Sequence, residues 1–276
     1  MCAGTFIMQN FRQHIRTFVV LGVIAAVVFA VDRVDAAGSA VKITVLFNNV
    51  PCRPDCETGW GFSCLIEDTA KTILFDTGDE GAVLLRNMQR MGVGPDCVDT
   101  VVLSHIHGDH VGGLGEFLRV HHDVVVYVPV SFPSPFKEAV HGCGATVSPV
   151  SISRELCPGV YTTGEMGAWI KEQALVVVTS HGLVVITGCA HPGIVNIVRK
   201  AQEEFGRDIL LVMGGFHLSG KSPREINGII NNLKILGVRK VAPSHCTGER
   251  ARTLFRQAWG RDFIEGGVGA VIELPP

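Results

Sequence analysis

From Thr100 to His110 the chain reads T-V-V-L-S-H-I-H-G-D-H, a short run of strand-forming apolar residues that opens directly onto three histidines and an aspartate. His105 and His107 are two residues apart at the end of a strand, so both imidazoles project to the same side. Gly108 allows a turn that brings Asp109 and His110 round towards a second position. Imidazole nitrogen and carboxylate oxygen are zinc ligands and also suit iron or manganese. A metal held there lowers the pKa of a bound water towards about 7, and Asp109 can hold that water or carry its proton. A chain that ends a buried strand this way must bring further ligands to the same place from elsewhere in the sequence.

Other segments repeat the placement. Asp76 follows the apolar run T-I-L-F, His191 lies just past L-V-V-I-T-G, His217 past L-L-V-M-G-G and His245 past K-V-A-P-S. Each polar residue stands at the end of a separate strand-like run, where layered α/β proteins gather their sites. Cys189, between L-V-V-I-T-G and His191, could supply a soft thiolate ligand or be an inert or disulfide-bonded cysteine. His121, His122, His141 and His181 do not share the placement and read as surface residues.

The strand runs are Val41 to Val50, Phe62 to Asp68, Lys71 to Gly78, Asp99 to His105, Asp123 to Val130, Ala174 to Ser180, Leu183 to Gly188, Asp208 to Gly215 and Lys240 to His245. Each is rich in β-branched residues and bounded by turn formers. A two-residue turn around His181-Gly182 makes the sixth and seventh a hairpin. Helices are expected over Ala82 to Met91, Gly193 to Phe205, Pro223 to Leu236 and Glu249 to Trp259. An N-terminal half dominated by strands and a C-terminal half that alternates strand with helix fit two packed mixed sheets with helices outside. Ser131 to Phe136 and Gly159 to Trp169 read as loops.

The N-terminus has a different character. Arg12, His14 and Arg16 precede an uncharged apolar run from Phe18 to Val31, followed by Val34-Asp35-Ala36. Fourteen residues fall short of the ~20 that a membrane-crossing helix needs. Residues 1–36 therefore read as a cleaved secretory signal peptide, with an uncleaved membrane anchor as the alternative, and the protein as exported, periplasmic or secreted. Removing the leader leaves eight of nine cysteines, an even number that suits an oxidising compartment. Cys52 with Cys56 and Cys143 with Cys157 could close loops, and unpaired thiols are equally compatible with the sequence. A formal net charge of -2 gives no electrostatic case for nucleic acid, leaving small molecules as the expected partners.

F-D-T-G, S-H-I-H-G-D-H-V-G-G, T-G-C-A-H-P-G-I-V-N-I-V, M-G-G-F-H-L and P-S-H-C-T-G, in this order, resemble the metallo-β-lactamase superfamily. More narrowly they resemble its dihydropterin-ribofuranosylaminobenzene-phosphate-synthase-like branch, which also shares an element seen here as Glu172-Gln173. The resemblance covers Val41 to the C-terminus. It implies an αββα sandwich over residues 41–276, metals at one edge of the sheets, His105, His107, Asp109 and His110 as ligands, and Asp76 as the residue that orders the site. Better-known members carry a Gly-Asp pair whose carboxylate bridges two metals. This chain has Gly188-Cys189 and Gly214-Gly215 where that pair could align, so His191, or else Cys189 or His217, is expected to complete the second set. Two zinc ions are expected, with a mononuclear centre as the alternative.

The expected activity is metal-dependent hydrolysis of a small-molecule ester, lactone, phosphodiester or amide. A mononuclear-iron oxygenase or oxidoreductase on the same fold and a non-catalytic binding module are the alternatives.

Overall fold

The computed structural model describes residues 41–275; the leader expected at residues 1–36 lies outside them. Among the described residues, no helix is long and apolar enough to cross a membrane.

The first sheet contains β1 (Val41–Asn48), β2 (Phe62–Glu67), β3 (Ile73–Phe75), β4 (Thr100–Val102), β5 (Val125–Pro129), β6 (Thr146–Val150) and, from the far end of the chain, β13 (Val271–Leu274). Their order is β13-β1-β2-β3-β4-β5-β6. Pairing is antiparallel from β13 to β3 and parallel from β3 to β6. Crossovers that include α1 (Gly81–Arg90), the single turn α2 (Gly108–Val111), α3 (Leu114–Val120) and α4 (Ser134–Gly142) connect the parallel strands. The second sheet contains β7 (Ile152–Cys157), β8 (Val160–Gly164), β9 (Leu175–Thr179), β10 (Gly182–Thr187), β11 (Ile209–Gly215) and β12 (Lys240–Ser244), in the order β12-β11-β10-β9-β8-β7. Here β10, β11 and β12 are parallel and β7 to β10 antiparallel. Helices α5 (Ile194–Phe205), α6 (Pro223–Ile235) and α7 (Glu249–Trp259) complete the chain.

Alternation along the strands sets the layers. On β10, Val184 and Ile186 enter the core between the sheets, whereas Leu183 and Val185 face the layer of α5, α6 and α7. On β3, Ile73 and Phe75 point between the sheets and Leu74 points to the layer of α1, α3 and α4. Both faces of these strands are buried, which is why the sequence reads as continuous apolar runs. The result is the αββα sandwich of two mixed sheets. α6 starts on a capping box, Ser222 with Glu225, and Pro223 at its first position.

Several elements differ from the sequence expectation. α4 begins within the expected Ser131 to Phe136 loop and carries His141 in its last turn, and β8 occupies part of the expected Gly159 to Trp169 loop. β6 and β7 contain exposed and half-buried polar residues, so they lack the apolar runs that betray the central strands. The hairpin turn is Ser180-His181, because Gly182 already pairs with Thr179. All eight described cysteines are unpaired; Cys143 is exposed while Cys157 is buried between the sheets.

The parallel strands β3 and β4 of one sheet and β10, β11 and β12 of the other deliver the residues that follow their C-terminal ends to one edge of the sandwich. Gln173 ties the sheets together beside that edge. Its amide donates to Leu103 O at 2.9 Å and Tyr127 O at 3.3 Å, and its oxygen accepts from Thr162 Oγ1 at 2.6 Å.

Candidate metal centre

Among the described residues, four of the five non-glycine residues with left-handed backbone, Asp76 (φ 57), Ala190 (φ 60), His217 (φ 50) and His245 (φ 47), lie at this edge. Such conformations cost of order 1–3 kcal/mol each and persist where surrounding structure enforces them. Here they turn the chain sharply at strand ends, so that side chains from separate strands converge.

The convergence produces two adjoining sets of donor atoms. In the first are His105, His107 and His191; in the second, Asp109, His110, Cys189 and His245. Within each set the donor atoms lie within 4.8 Å of one another. The sets touch, with the His105 and His110 rings 4.2 Å apart between centroids. His191 therefore groups with the first pair of histidines rather than completing the second set, and Cys189 takes that place, its Sγ 3.3 Å from His110 Nε2. His217 belongs to neither set. It packs on His191 at 4.3 Å and joins Cys189 and Cys246 in a third group. None of His121, His122, His141 and His181 enters any of the three.

The residues around these sets fix which nitrogen each histidine presents. Asp76 Oδ1 accepts from the Ser104 amide at 2.7 Å, and its Oδ2 lies 2.7 Å from both Ser104 Oγ and His110 Nδ1. With its proton given to Asp76, the Ser104 hydroxyl accepts from His105 Nδ1 at 2.9 Å. His245 Nδ1 donates to Asn49 Oδ1 at 2.9 Å. In His105, His110 and His245 the Nδ1 proton is thus committed outwards and the Nε2 lone pair is aimed inwards. This is the arrangement that outer partners give to metal-bound histidine. The Nε2 atoms of His191 and His245 are buried without a hydrogen bond, the second lying 3.2 Å from Asp109 Oδ2 out of hydrogen-bonding alignment. Buried imidazole nitrogens left without a hydrogen bond, one in each set, fit groups whose partner is a metal ion.

The charge states of His105, His191 and Asp109 agree with that fit. Burial, then the neighbouring histidines, pushes His105 far below the ordinary histidine range. Burial, then His217 and His107, brings His191 down to about 4. Both are held neutral, as ligands must be. Burial pushes Asp109 up, but His245 and His110 pull it down to about 2, so it is ionised. Burial opposes the charge on His110, and the Asp76 carboxylate outweighs it and raises the pKa.

Backbone shape is set by residues whose sequence signal is weak. Glu172, buried, accepts from the amides of Cys189, Ala190 and His191 at 2.9, 2.8 and 2.8 Å, clamping the loop that carries two of the candidate ligands. Burial raises this carboxyl to about 7 against those three donors. Gly188 leaves room for the hub: a Cβ there would stand 2.1 Å from Ser104 Oγ and 2.8 Å from Asp76 Oδ2. Outside, a cleft of about 410 Å³ is lined by residues 167–170 together with His191, Pro192 and His217. Two exposed tryptophans flank the site, Trp169 on this cleft and Trp60 with its ring 5.1 Å from that of His245.

Comparison with known proteins agrees with this geometry. The family profile of the metallo-beta-lactamase superfamily matches residues 61–202. The 7,8-dihydropterin-6-methyl-4-(beta-D-ribofuranosyl)-aminobenzene-5'-phosphate synthase of Methanocaldococcus jannaschii is 30% identical over 262 residues, covering 77% of this chain and 89% of that protein. The chain belongs to the metallo-β-lactamase superfamily. The crystal structure of Tm1679, described as a metal-dependent hydrolase of that superfamily, matches with a TM-score of 0.72 and 30% identity over 86% of this chain and all of that one. A diphosphatase of the PhnP family shares the fold at 14% identity, with a TM-score of 0.59 over 86% of this chain and 98% of that one. Cys189 stands at one of the two places where the resemblance leads one to look for a bridging aspartate, and Gly215 stands at the other.

Proposed function

We propose that this metallo-β-lactamase-superfamily protein is a metal-dependent hydrolase of a small-molecule ester, lactone, phosphodiester or amide. The observation that carries the reading is the pair of adjoining donor sets whose histidines have their outer nitrogens committed to Asp76, Ser104 and Asn49. His105, His107 and His191 would hold one ion, and Asp109, His110, Cys189 and His245 the other. Zinc fits both sets, with iron and manganese as the alternatives. When bound, the ions supply Lewis acidity and an activated water.

The chain's own residues do the rest. Asp76 and Ser104 keep the first set's His105 and the second set's His110 in the tautomers that leave Nε2 free. Asp109, ionised and half-buried beside His245, can hold a water and take up its proton. The cleft beside His191 is of the size that takes small molecules, and Trp169 offers a flat apolar wall. The 30% identity to a protein described as a metal-dependent hydrolase supports this reading, and the relative named as a synthase makes a synthase reaction the second one. A small molecule rather than nucleic acid is the proposed substrate, and the apolar N-terminal run supports export.

Metal content tests the proposal. Protein purified without chelator is expected to carry at least two zinc ions per chain and to hydrolyse one of these substrate classes. His107→Ala is expected to lose one ion and the activity. A single iron per chain would shift the reading to oxygen chemistry, and failure to bind any metal after incubation with zinc would sink it.

A further inference from the structure

The third donor group extends beyond the two sets just described, sharing only Cys189 with the second. Cys189, His217 and Cys246 follow the C-terminal ends of β10, β11 and β12, three neighbouring parallel strands, and their donor atoms lie within 4.8 Å of one another. Each comes from a different sequence element, G-C-A-H-P-G, G-G-F-H-L and H-C-T-G, and neither His217 nor Cys246 has a part in the hydrolase reading.

The surroundings hold this group together. Cys246 Sγ sits over Gly215, where a Cβ would come within 2.7 Å of the sulfur, and within 3.7 Å of Cys189 O. Backbone bonds tie the loops: Ser219 N donates to Cys246 O at 3.2 Å, and Phe216 N donates to Thr247 Oγ1 at 3.1 Å. His217 is fixed in a left-handed conformation (φ 50) at the cleft, while both sulfurs are buried. Two buried sulfurs with one accessible imidazole make a Cys2His set with an access route from solvent. On a tetrahedral zinc with Zn–S of about 2.3 Å and Zn–N of about 2.0 Å, such donor atoms stand roughly 3.5–3.8 Å apart. The spacing here reaches that with small side-chain movements.

We propose that Cys189, His217 and Cys246 form a third metal position, which takes a thiophilic d10 ion such as zinc or cadmium and shares the Cys189 sulfur with the neighbouring set. Thiolate ligands select such ions over magnesium, calcium or manganese. The shared sulfur makes occupancy of this position and of the second set interdependent, whereas the His105, His107 and His191 set shares no ligand with it.

The test is titration of reduced, metal-free full-length protein with cadmium, following thiolate-to-metal charge-transfer absorption and bound metal by elemental analysis. Wild type is expected to bind one equivalent more than Cys246→Ser, with a larger charge-transfer signal. His217→Ala, a change at an exposed side chain that keeps the fold, is expected to lose the same equivalent. Cys189→Ser should reduce binding at both sulfur-containing positions. Equal stoichiometry and absorption in wild type, Cys246→Ser and His217→Ala would overturn the third position while leaving the two-set reading intact. Finding Cys189 and Cys246 joined in a disulfide in protein purified without reductant would overturn it as well.

Discussion

Asp76 Oδ2 stands 2.7 Å from His110 Nδ1, with both side chains fully buried. The same oxygen receives the Ser104 hydroxyl, which in turn orients His105. One carboxylate thus governs a histidine in each donor set. The left-handed backbone of Asp76 (φ 57) and the missing side chain at Gly188 are what allow it to sit between them.

Asp76→Asn is therefore expected to weaken metal binding in both sets at once, by about 10–100-fold, the usual effect of removing an outer partner. Competition against a chelator, read for each successive equivalent, checks this. Weakening of only one equivalent would show that Asp76 serves one set alone. Gly188→Ala should resemble Asp76→Asn, because the added methyl group collides with the same two side chains.

Glu172 offers a separate test of how the site is built. Glu172→Ala leaves three buried amides, those of Cys189, Ala190 and His191, without their acceptor. Each unsatisfied buried group costs about 1–3 kcal/mol, and some of that is recovered if the loop shifts or admits water. The variant should lose stability in urea denaturation and bind metal more weakly. Glu172→Gln keeps an acceptor oxygen in place and is expected to fall between wild type and Glu172→Ala in both measurements.

The sequence displayed those parts of the molecule whose physics is local. Runs such as Leu183 to Gly188 are apolar on both faces because both faces are buried, and the histidines at their ends stand out by chemistry. α6 was legible as a helix over Pro223 to Leu236, one residue longer than it is. β6 and β7 were not, since half of their surface is exposed and their pairing partners are set by the tertiary fold. Grouping of the ligands was equally hidden: His191 and Cys189 are two residues apart, and only the turn through Ala190 (φ 60) sends them to different sets. Ser104 and Glu172 carry no motif-like chemistry of their own, since they act by hydrogen bonding to partners distant in sequence. Glu172 was visible only through the Glu172-Gln173 resemblance.

Acid stability should depend on Glu57. Its carboxylate receives Arg86 and Arg90, and Asn87 bonds both to its backbone and to Leu46 O, pinning the loop before Trp60 to α1. Arg86, the main cause, and Arg90 hold the carboxyl at about 2 against an ordinary 4.5. Because the folded pKa is depressed, the stabilisation is complete above 4.5 and disappears as pH falls through about 2. The site is exposed, so the effect is small and screened by salt. Glu57→Gln should lower the urea midpoint slightly at neutral pH and lose less on acidification than wild type. A parallel acid response in the two proteins would show that Glu57 is not among the groups that titrate with unfolding.

Cys189→Asp tests what the sulfur contributes. The backbone at position 189 is held by Glu172 whatever the side chain, so an aspartate there would present carboxylate oxygen to His110, Asp109 and His245. Oxygen is a harder donor than thiolate, and the preference of the second set should move from cadmium and zinc towards manganese. The first set, all imidazole, should keep its wild-type preference. Elemental analysis after equilibration with mixed zinc and manganese separates these outcomes. An unchanged metal ratio in the variant would mean that Cys189 does not reach the second ion, and would return the role of its fourth ligand to a solvent molecule or substrate.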